Sequence, residues 1–154
     1  MTKPILAAFA AMALLAACAN TDENAATTGT GGSTIRPGSQ EDLVANVGDR
    51  VLFDTDRSSI RADQRPILQR QAAWMQTNAS VTVQVEGHAD ERGTREYNLA
   101  LGQRRANAAR DLLVAGGAAG ARVSTISYGK DRPTALGSDE TAWAQNRRAV
   151  TVVR

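Results

Sequence analysis

The strongest constraint on the fold is an alternating run that leads through a charged turn into a long amphipathic helix. Val81, Val83 and Val85 alternate with polar residues as far as Gly87, a pattern typical of a strand with one packed face. Residues 94–115 then place small and apolar side chains three and four positions apart, which predicts a helix with one packed face. Side chains from such a strand end and helix meet at one rim of a domain, where binding groups often lie.

Further segments have the periodicity or composition of regular elements. Strands are predicted at 50–53, 123–128 and 149–153, and helices at 41–47, 62–78 and 138–145. The order of these elements indicates an α/β fold, an α+β sandwich with helices on one side of a mixed four-stranded sheet. Helical crossovers favour parallel pairing of some strands, while the last strand can pair either way. The spacing leaves the order of strands open.

The N-terminal residues have the pattern of a bacterial lipoprotein signal peptide. Lys3 precedes an apolar run from Ile5 to Leu15 that is too short to span a bilayer as a mature helix. The sequence LAAC at 15–18 resembles the lipobox, in which the cysteine is acylated and the chain is cut to leave Cys18 first. Cys18 is the only cysteine, so an internal disulfide is excluded. An ordinary secretory signal followed by an unused thiol is the alternative.

Three regions are therefore expected: a cleaved signal peptide at 1–17, a lipidated Cys18 with a flexible tether at 18–40, and a domain at 41–154. The tether is rich in Ala, Asn, Thr, Gly and Ser and has too little apolar surface to fold. Ala19 follows the cysteine, and the absence of Asp there predicts an outer-membrane location with the domain in the periplasm. The formal net charge of +2 gives no indication of nucleic-acid binding.

Helical geometry separates the two adjacent arginines of the long helix. Successive residues advance about 100° around the axis, which places Arg104 opposite the packed stripe and Arg105 at the edge of that stripe. Asn98 lies two turns earlier on the same edge, and Asp90 in the preceding turn can face this line. A carboxylate beside a guanidinium suits the ammonium and carboxylate of a zwitterionic amino-acid head group. A simple ion pair between Asp90 and Arg105 is the alternative.

Motifs in four segments point to one family. The segments are FDTDRSSIRADQ at 53–64, GHADERGTREYNLALGQRRANAARDLL at 87–113, SYGKDRP at 127–133 and NRRAV at 146–150. In this order they resemble the peptidoglycan-binding domain of the outer membrane protein A (OmpA) family and, within it, the peptidoglycan-associated lipoproteins. The resemblance covers about residues 40–154 and implies a βαβαβ-type sandwich with a late helix and strand added.

The resemblance also implies a ligand and the residues that contact it. The ligand is the stem peptide of peptidoglycan, whose meso-diaminopimelate carries a distal ammonium and carboxylate. The family's binding residues fall on Asp90, Arg105, Asn98, Phe53, Asp54, Arg92 and Thr94. The chain departs from the family at Ala89, where Thr is usual, and at Gly102, where Ser is usual. Loss of the Thr hydroxyl would weaken one hydrogen bond by about 1 kcal/mol.

Four functions compete on this reading. The resemblance implies a non-enzymatic tether without cofactor that links the outer membrane to the wall and has the TolB propeller of the Tol system as its partner in cell division. A generic wall-binding lipoprotein outside that system is one alternative, and a module whose main work is docking another envelope protein, which does not exclude wall binding, is a second. A peptidoglycan hydrolase using His88 and Asp90 is another, although His88 is the only histidine and no third ligand stands at metal spacing. A lone histidine beside carboxylates is more typical of a structural hydrogen-bonding residue.

Overall fold

The structure, a computed structural model, describes residues 35–154. The predicted signal peptide, Cys18 and most of the predicted tether lie outside the described residues. Ser39 lies at the end of the predicted tether but is buried, and its hydroxyl accepts the backbone N–H of Asp42 at 3.2 Å, which caps the first helix as the spacing of Ser39 and Asp42 predicts. The side chain of Gln40 accepts the backbone N–H of Val153 at 2.7 Å. The folded domain therefore starts before residue 41.

The helices and strands lie close to their predicted bounds. In chain order they are α1 (Gln40–Asp42) continuing as a π turn (Leu43–Val47), β1 (Arg50–Leu52), α2 (Arg65–Thr77), β2 (Val83–His88), α3 (Arg95–Ala115), a 3₁₀ turn (Gly120–Arg122), β3 (Val123–Gly129), α4 (Glu140–Asn146) and β4 (Arg148–Val153). No helix between residues 35 and 154 is long and apolar enough to cross a membrane.

The four strands form one mixed sheet in the order β1-β4-β2-β3. Strands β2 and β3 are parallel, as their α3 crossover requires, and β4 runs antiparallel to both β1 and β2. The predicted mixed four-stranded α+β sandwich is confirmed. The last strand enters the middle of the sheet, so β1 and β2 are joined only through β4.

The hydrophobic core lies between one face of the sheet and the two long helices. The strands contribute Val51, Val83, Val85, Val123 and Ala149, and the helices contribute Leu68, Ala72, Met75, Ala106, Ala109 and Leu113. Burial alternates along β2, where Val83 and Val85 are buried and the intervening Gln84 is half-buried. One face of the sheet is therefore packed under α2 and α3, as the alternating pattern predicts.

Two glycines allow α3 to lie directly on β2. A Cβ atom on Gly87 would overlap the backbone carbonyl of Gly102, and one on Gly102 would overlap the hydroxyl of Ser127. That hydroxyl donates to the carbonyl of Leu99 at 2.7 Å, so it already occupies the space that a serine at position 102 would need. Gly87 was expected to end β2, but the strand continues to His88. Gly87 instead provides the contact surface for the helix.

We expect Gly87→Ala to lower the free energy of unfolding by about 2–3 kcal/mol, because the new methyl group meets backbone that cannot rotate away. Gly120→Ala is the matched control, since its Cβ would meet only side-chain atoms at 3.4 Å and 3.8 Å. Urea denaturation of both variants measures the difference. Equal stability of the two variants would contradict the close approach.

His88, at the end of β2, is a buried imidazole without a hydrogen bond. His88 is 2% exposed, and neither ring nitrogen has a hydrogen-bond partner within the described residues. The nearest carboxylate oxygen is that of Glu86, 3.8 Å from Nε2, and the ring lies 5.6 Å from that of Tyr128. Burial, with the charges of Arg148 and Arg132, lowers the pKa of His88 to about 3. The expected structural hydrogen bond is therefore absent from the described part of the chain.

The pH dependence of stability should reveal this histidine. Because the folded protein lowers its pKa from 6.5 to about 3, unfolding takes up a proton, and stability is lost as the pH falls from 6.5 towards 3. The expected loss is about 1.4 kcal/mol per pH unit, or about 2 kcal/mol between pH 7.5 and pH 5. Urea denaturation at both pH values should show this loss in the wild type and not in His88→Phe, in which the carboxylates still titrate. An equal loss in both proteins would refute the assignment.

Candidate functional site

Three segments meet at the carboxyl end of β2. They are the loop after β1 (residues 53–57), the turn after β2 (residues 89–94) and the first half of α3, with Arg147 joining from the end of α4. Hydrogen bonds donated by the side chains of Arg92, Arg105 and Arg147 connect these segments. The rim expected from the strand–turn–helix pattern is therefore formed with a further loop and a further helix end.

Arg105 lies beneath this rim and is fully buried, at 0% exposure. Its guanidinium donates to three backbone carbonyls, from Nε to Arg57 at 2.8 Å, from Nη1 to His88 at 2.8 Å and from Nη2 to Asp54 at 3.1 Å. Burial lowers its pKa to about 10, so the group stays charged at neutral pH. Arg104 is exposed and Arg105 is buried, as the rotation of successive helical residues predicts. Arg105 lies deeper than predicted, however, because it was expected at the edge of the packed face.

Asp90 supplies the carboxylate of the site and is 7% exposed. It accepts from Arg92 three times, from the backbone N–H at 3.1 Å, from Nε at 3.2 Å and from Nη2 at 2.7 Å. Nη1 of Arg147 lies 3.4 Å away. Burial alone would raise the pKa of Asp90, but the hydrogen bonds from Arg92 and Arg147 outweigh it and lower the pKa. The alternative ion pair with Arg105 is not formed.

Asn98 and Thr94 hold the turn against α3. Asn98 is buried, and its Nδ2 donates to the carbonyl of Arg92 at 2.8 Å. The hydroxyl of Thr94 caps α3 by accepting the backbone N–H of Tyr97 at 3.2 Å. In this structure both side chains therefore position the turn that carries Asp90.

Phe53 and Asp54 form the opposite side of the site. The Phe53 ring is buried with its centroid 5.2 Å from the Arg105 guanidinium carbon. The Asp54 side chain is exposed and lies 3.5 Å from Arg61, while its backbone carbonyl accepts from Arg105. All seven residues named from the sequence thus lie in the three meeting segments, although their side chains have different surroundings.

Sequence reasoning did not identify Arg147 as a group that contacts Asp90. The sequence places the Arg147–Arg148 pair at the start of the last strand, where one arginine is predicted to face solvent and the other to border the binding rim. Both are buried, and Arg147 ends α4 instead of beginning β4. Arg147 donates to the carbonyl of Phe53 at 3.1 Å and to the carboxylate of Glu140 at 2.6 Å. The motif NRRAV gave a signal, but spacing alone could not show which arginine turns towards the site.

Trp143 also belongs to the rim, although its helical position suggested a packing role. Its indole N–H donates to Glu91 at 3.0 Å, and the guanidinium carbon of Arg92 lies 4.2 Å from the centroid of its ring. Arg92 also lines a pocket of about 230 Å³, together with Thr55, Asp56, Gly93 and Tyr97.

The chemistry of this arrangement is recognition of charge. A nearly buried carboxylate lies between two guanidinium groups, with the third guanidinium of Arg105 below them. The ion pairs of such a site can open, so that the carboxylate pairs with the ammonium of a zwitterion and a guanidinium pairs with its carboxylate. Among residues 35–154, no group of three or more His, Cys, Asp or Glu side chains is placed to hold a metal ion.

Comparisons with known proteins agree with this architecture. The OmpA family matches residues 52–147. The chain is 55% identical to the peptidoglycan-associated lipoprotein of Mesorhizobium japonicum, over 97% of this chain and 91% of that protein. The corresponding figures for the peptidoglycan-associated lipoprotein of Rhizobium meliloti are 53%, 97% and 87%.

Solved structures show the same relationship. The crystal structure of the peptidoglycan-associated lipoprotein from Burkholderia pseudomallei is 40% identical with a TM-score of 0.69, covering 73% of this chain and 100% of that chain. The C-terminal domain of Helicobacter pylori MotB, at 22% identity and a TM-score of 0.64 over 69% of this chain and 84% of that chain, shares the fold. The chain therefore belongs to the OmpA family and, within it, to the peptidoglycan-associated lipoproteins.

Proposed function

We propose that this chain is an outer-membrane lipoprotein that binds peptidoglycan non-covalently through the meso-diaminopimelate of the stem peptide. The observation that carries the proposal is the carboxylate of Asp90, which stays charged at 7% exposure above the buried guanidinium of Arg105. The names of its relatives in Mesorhizobium japonicum and Burkholderia pseudomallei state association with peptidoglycan for those proteins. The names support a ligand in the wall, and the positions of Asp90 and Arg105 support one with an ammonium and a carboxylate.

In the proposed complex, Asp90 binds the distal ammonium of diaminopimelate and Arg105 attracts its carboxylate. Three of the five N–H bonds of Arg105 donate to backbone carbonyls, which leaves two for the ligand. Reaching them requires the loop from Asp54 to Arg57 to shift. This loop is exposed and contains Asp56 at a φ of 54°, a conformation that costs a non-glycine residue about 1–2 kcal/mol.

The remaining proposed binding residues frame these two charges. Phe53 and Asp54 form one wall, and Arg92 and Thr94 lie at the other side of the opening. Asn98 contributes by holding the carbonyl of Arg92, and with it the turn. This set is the one that the family resemblance implies, with Arg147 added because it contacts both Phe53 and Asp90.

The proposed cellular role joins this site to the N-terminal anchor. Cys18 would be acylated and held in the outer membrane, and the tether would give the domain reach to the wall. The wall-binding domain would work without cofactor, nucleic acid or catalysis. Its protein partner would be TolB within the Tol-Pal system, which acts in envelope integrity and cell division. This part of the proposal rests on the lipobox and on the family of the chain.

The first test is cosedimentation of residues 35–154 with purified diaminopimelate-type peptidoglycan. This part contains the whole described core, and the Burkholderia pseudomallei structure aligns along its full length with such a part. Asp90→Asn keeps the side-chain volume but removes the charge that an ammonium needs. We expect at least about tenfold weaker binding, the usual result of removing one partner of a buried ion pair.

Arg95→Gln is the matched control for this experiment. Arg95 is an exposed arginine at the start of α3 that pairs with Asp131 at 2.7 Å, away from Asp90. We expect this variant to sediment with the wall like the wild type. Binding of Asp90→Asn at the wild-type level would refute the assignment of Asp90, and so would an equal loss in Arg95→Gln, because the loss would then not be specific to the carboxylate.

A second test compares two wall types. Lysine-type peptidoglycan keeps the distal ammonium but lacks the distal carboxylate, so it can satisfy Asp90 and cannot use Arg105. The loss of a charge-assisted hydrogen bond predicts about tenfold or greater weakening. Cosedimentation with equal masses of the two walls measures the ratio. Equal binding would show that Arg105 does not recognise the ligand carboxylate.

A further inference from the structure

The ammonium position proposed on Asp90 is already filled by a group of the protein. Arg92 donates from Nε to one carboxylate oxygen at 3.2 Å and from Nη2 to the other at 2.7 Å. Its backbone N–H adds a third hydrogen bond, of 3.1 Å, to the first oxygen. An ammonium that approached the exposed side of Asp90 would need the same acceptor lone pairs. The two cations therefore compete.

The arginine in this position is the more exposed of the two cations on Asp90. The Arg92 side chain is 39% exposed, and apart from Asp90 it contacts the ring of Trp143 at 4.2 Å and the hydroxyl of Thr55 at 3.3 Å. Arg147, the second cation on Asp90, is only 7% exposed. Water can therefore solvate the guanidinium of Arg92 when it leaves Asp90, whereas Arg147 would stay buried without its partner.

We propose that Arg92 occupies the ammonium position of the ligand-free site and that the incoming ammonium displaces its guanidinium from Asp90. This inference rests on the proposed function, since it concerns how the same site is loaded. The exchange keeps the nearly buried carboxylate paired at every stage, which avoids an uncompensated buried charge. The pKa of Arg92 is raised, chiefly by its hydrogen bonds to Asp90 and also by the nearby charges of Glu140 and Asp56. These two carboxylates offer the displaced guanidinium a new partner.

Trp143 provides a direct reporter of the displacement. The chain has two tryptophans, and Trp74→Phe leaves the indole on which Arg92 lies as the single emitter. The probe is muramyl tripeptide ending in meso-diaminopimelate, added to residues 35–154 that carry this substitution. We expect the emission of Trp143 to change with saturation as the guanidinium moves off the ring. Calorimetry on the same samples gives the affinity independently of fluorescence.

The deciding variant is Arg92→Gln in the Trp74→Phe protein, with Arg95→Gln as control. Removing the internal competitor should tighten tripeptide binding by about twofold or more, because the free energy that separates Arg92 from Asp90 is no longer spent. The emission change should disappear in Arg92→Gln and persist in Arg95→Gln. Weaker or unchanged affinity in Arg92→Gln, or an undiminished emission change, would overturn the displacement.

Tripeptide binding by the wild-type and Asp90→Asn domains distinguishes a failure of this inference from a failure of the proposed function. If the wild-type domain does not bind the tripeptide, or if Asp90→Asn binds it equally well, the proposed function fails and the displacement fails with it. If the wild type binds and Asp90→Asn does not, the proposed function stands. The comparison of Arg92→Gln with the wild type then decides the displacement alone.

Discussion

The hydrogen bonds from one buried guanidinium determine the geometry of the site. Arg105 is fully buried and has no carboxylate within 4.0 Å in the described part of the chain, so its charge is compensated by the carbonyls of Asp54, Arg57 and His88. An unpaired buried charge is costly, so none of these carbonyls can move away unless another acceptor replaces it. In this structure they hold the loop after β1, the end of β2 and helix α3 together, and with them the turn that carries Asp90.

The site has more positive than negative charge around Asp90. Asp90 is the carboxylate shared by Arg92 and Arg147, and Arg105 lies below without an ion-pair partner of its own. A ligand that brought only an ammonium would add to this excess. A ligand that also brought a carboxylate would place its negative charge on the side of Arg105 and its positive charge on Asp90. The positions of these two groups, and not the net charge of the site, therefore suit the zwitterionic ligand that we propose.

Local patterns predicted what depends on neighbouring residues. Alternation gave β2, helical spacing gave α3, and the rotation of about 100° per residue separated the exposed Arg104 from the buried Arg105. The strand order, the depth of Arg105 and the role of Arg147 could not be predicted this way. They depend on hydrogen bonds between residues that are far apart in the chain, with separations of 51 positions in one case and 94 in another. Periodicity carries no information about such pairs.

The contact between the two glycines links the packing of the domain to its site. Gly102 lies three residues before Arg105 on α3, and Gly87 immediately precedes His88, whose carbonyl accepts from Arg105. The helix can lower Arg105 onto this carbonyl only because the two backbones touch at these glycines. A larger side chain at either position would lift α3 and lengthen the hydrogen bonds of Arg105. Gly102, where the chain departs from the usual family residue, therefore helps to set how deep the guanidinium of Arg105 lies.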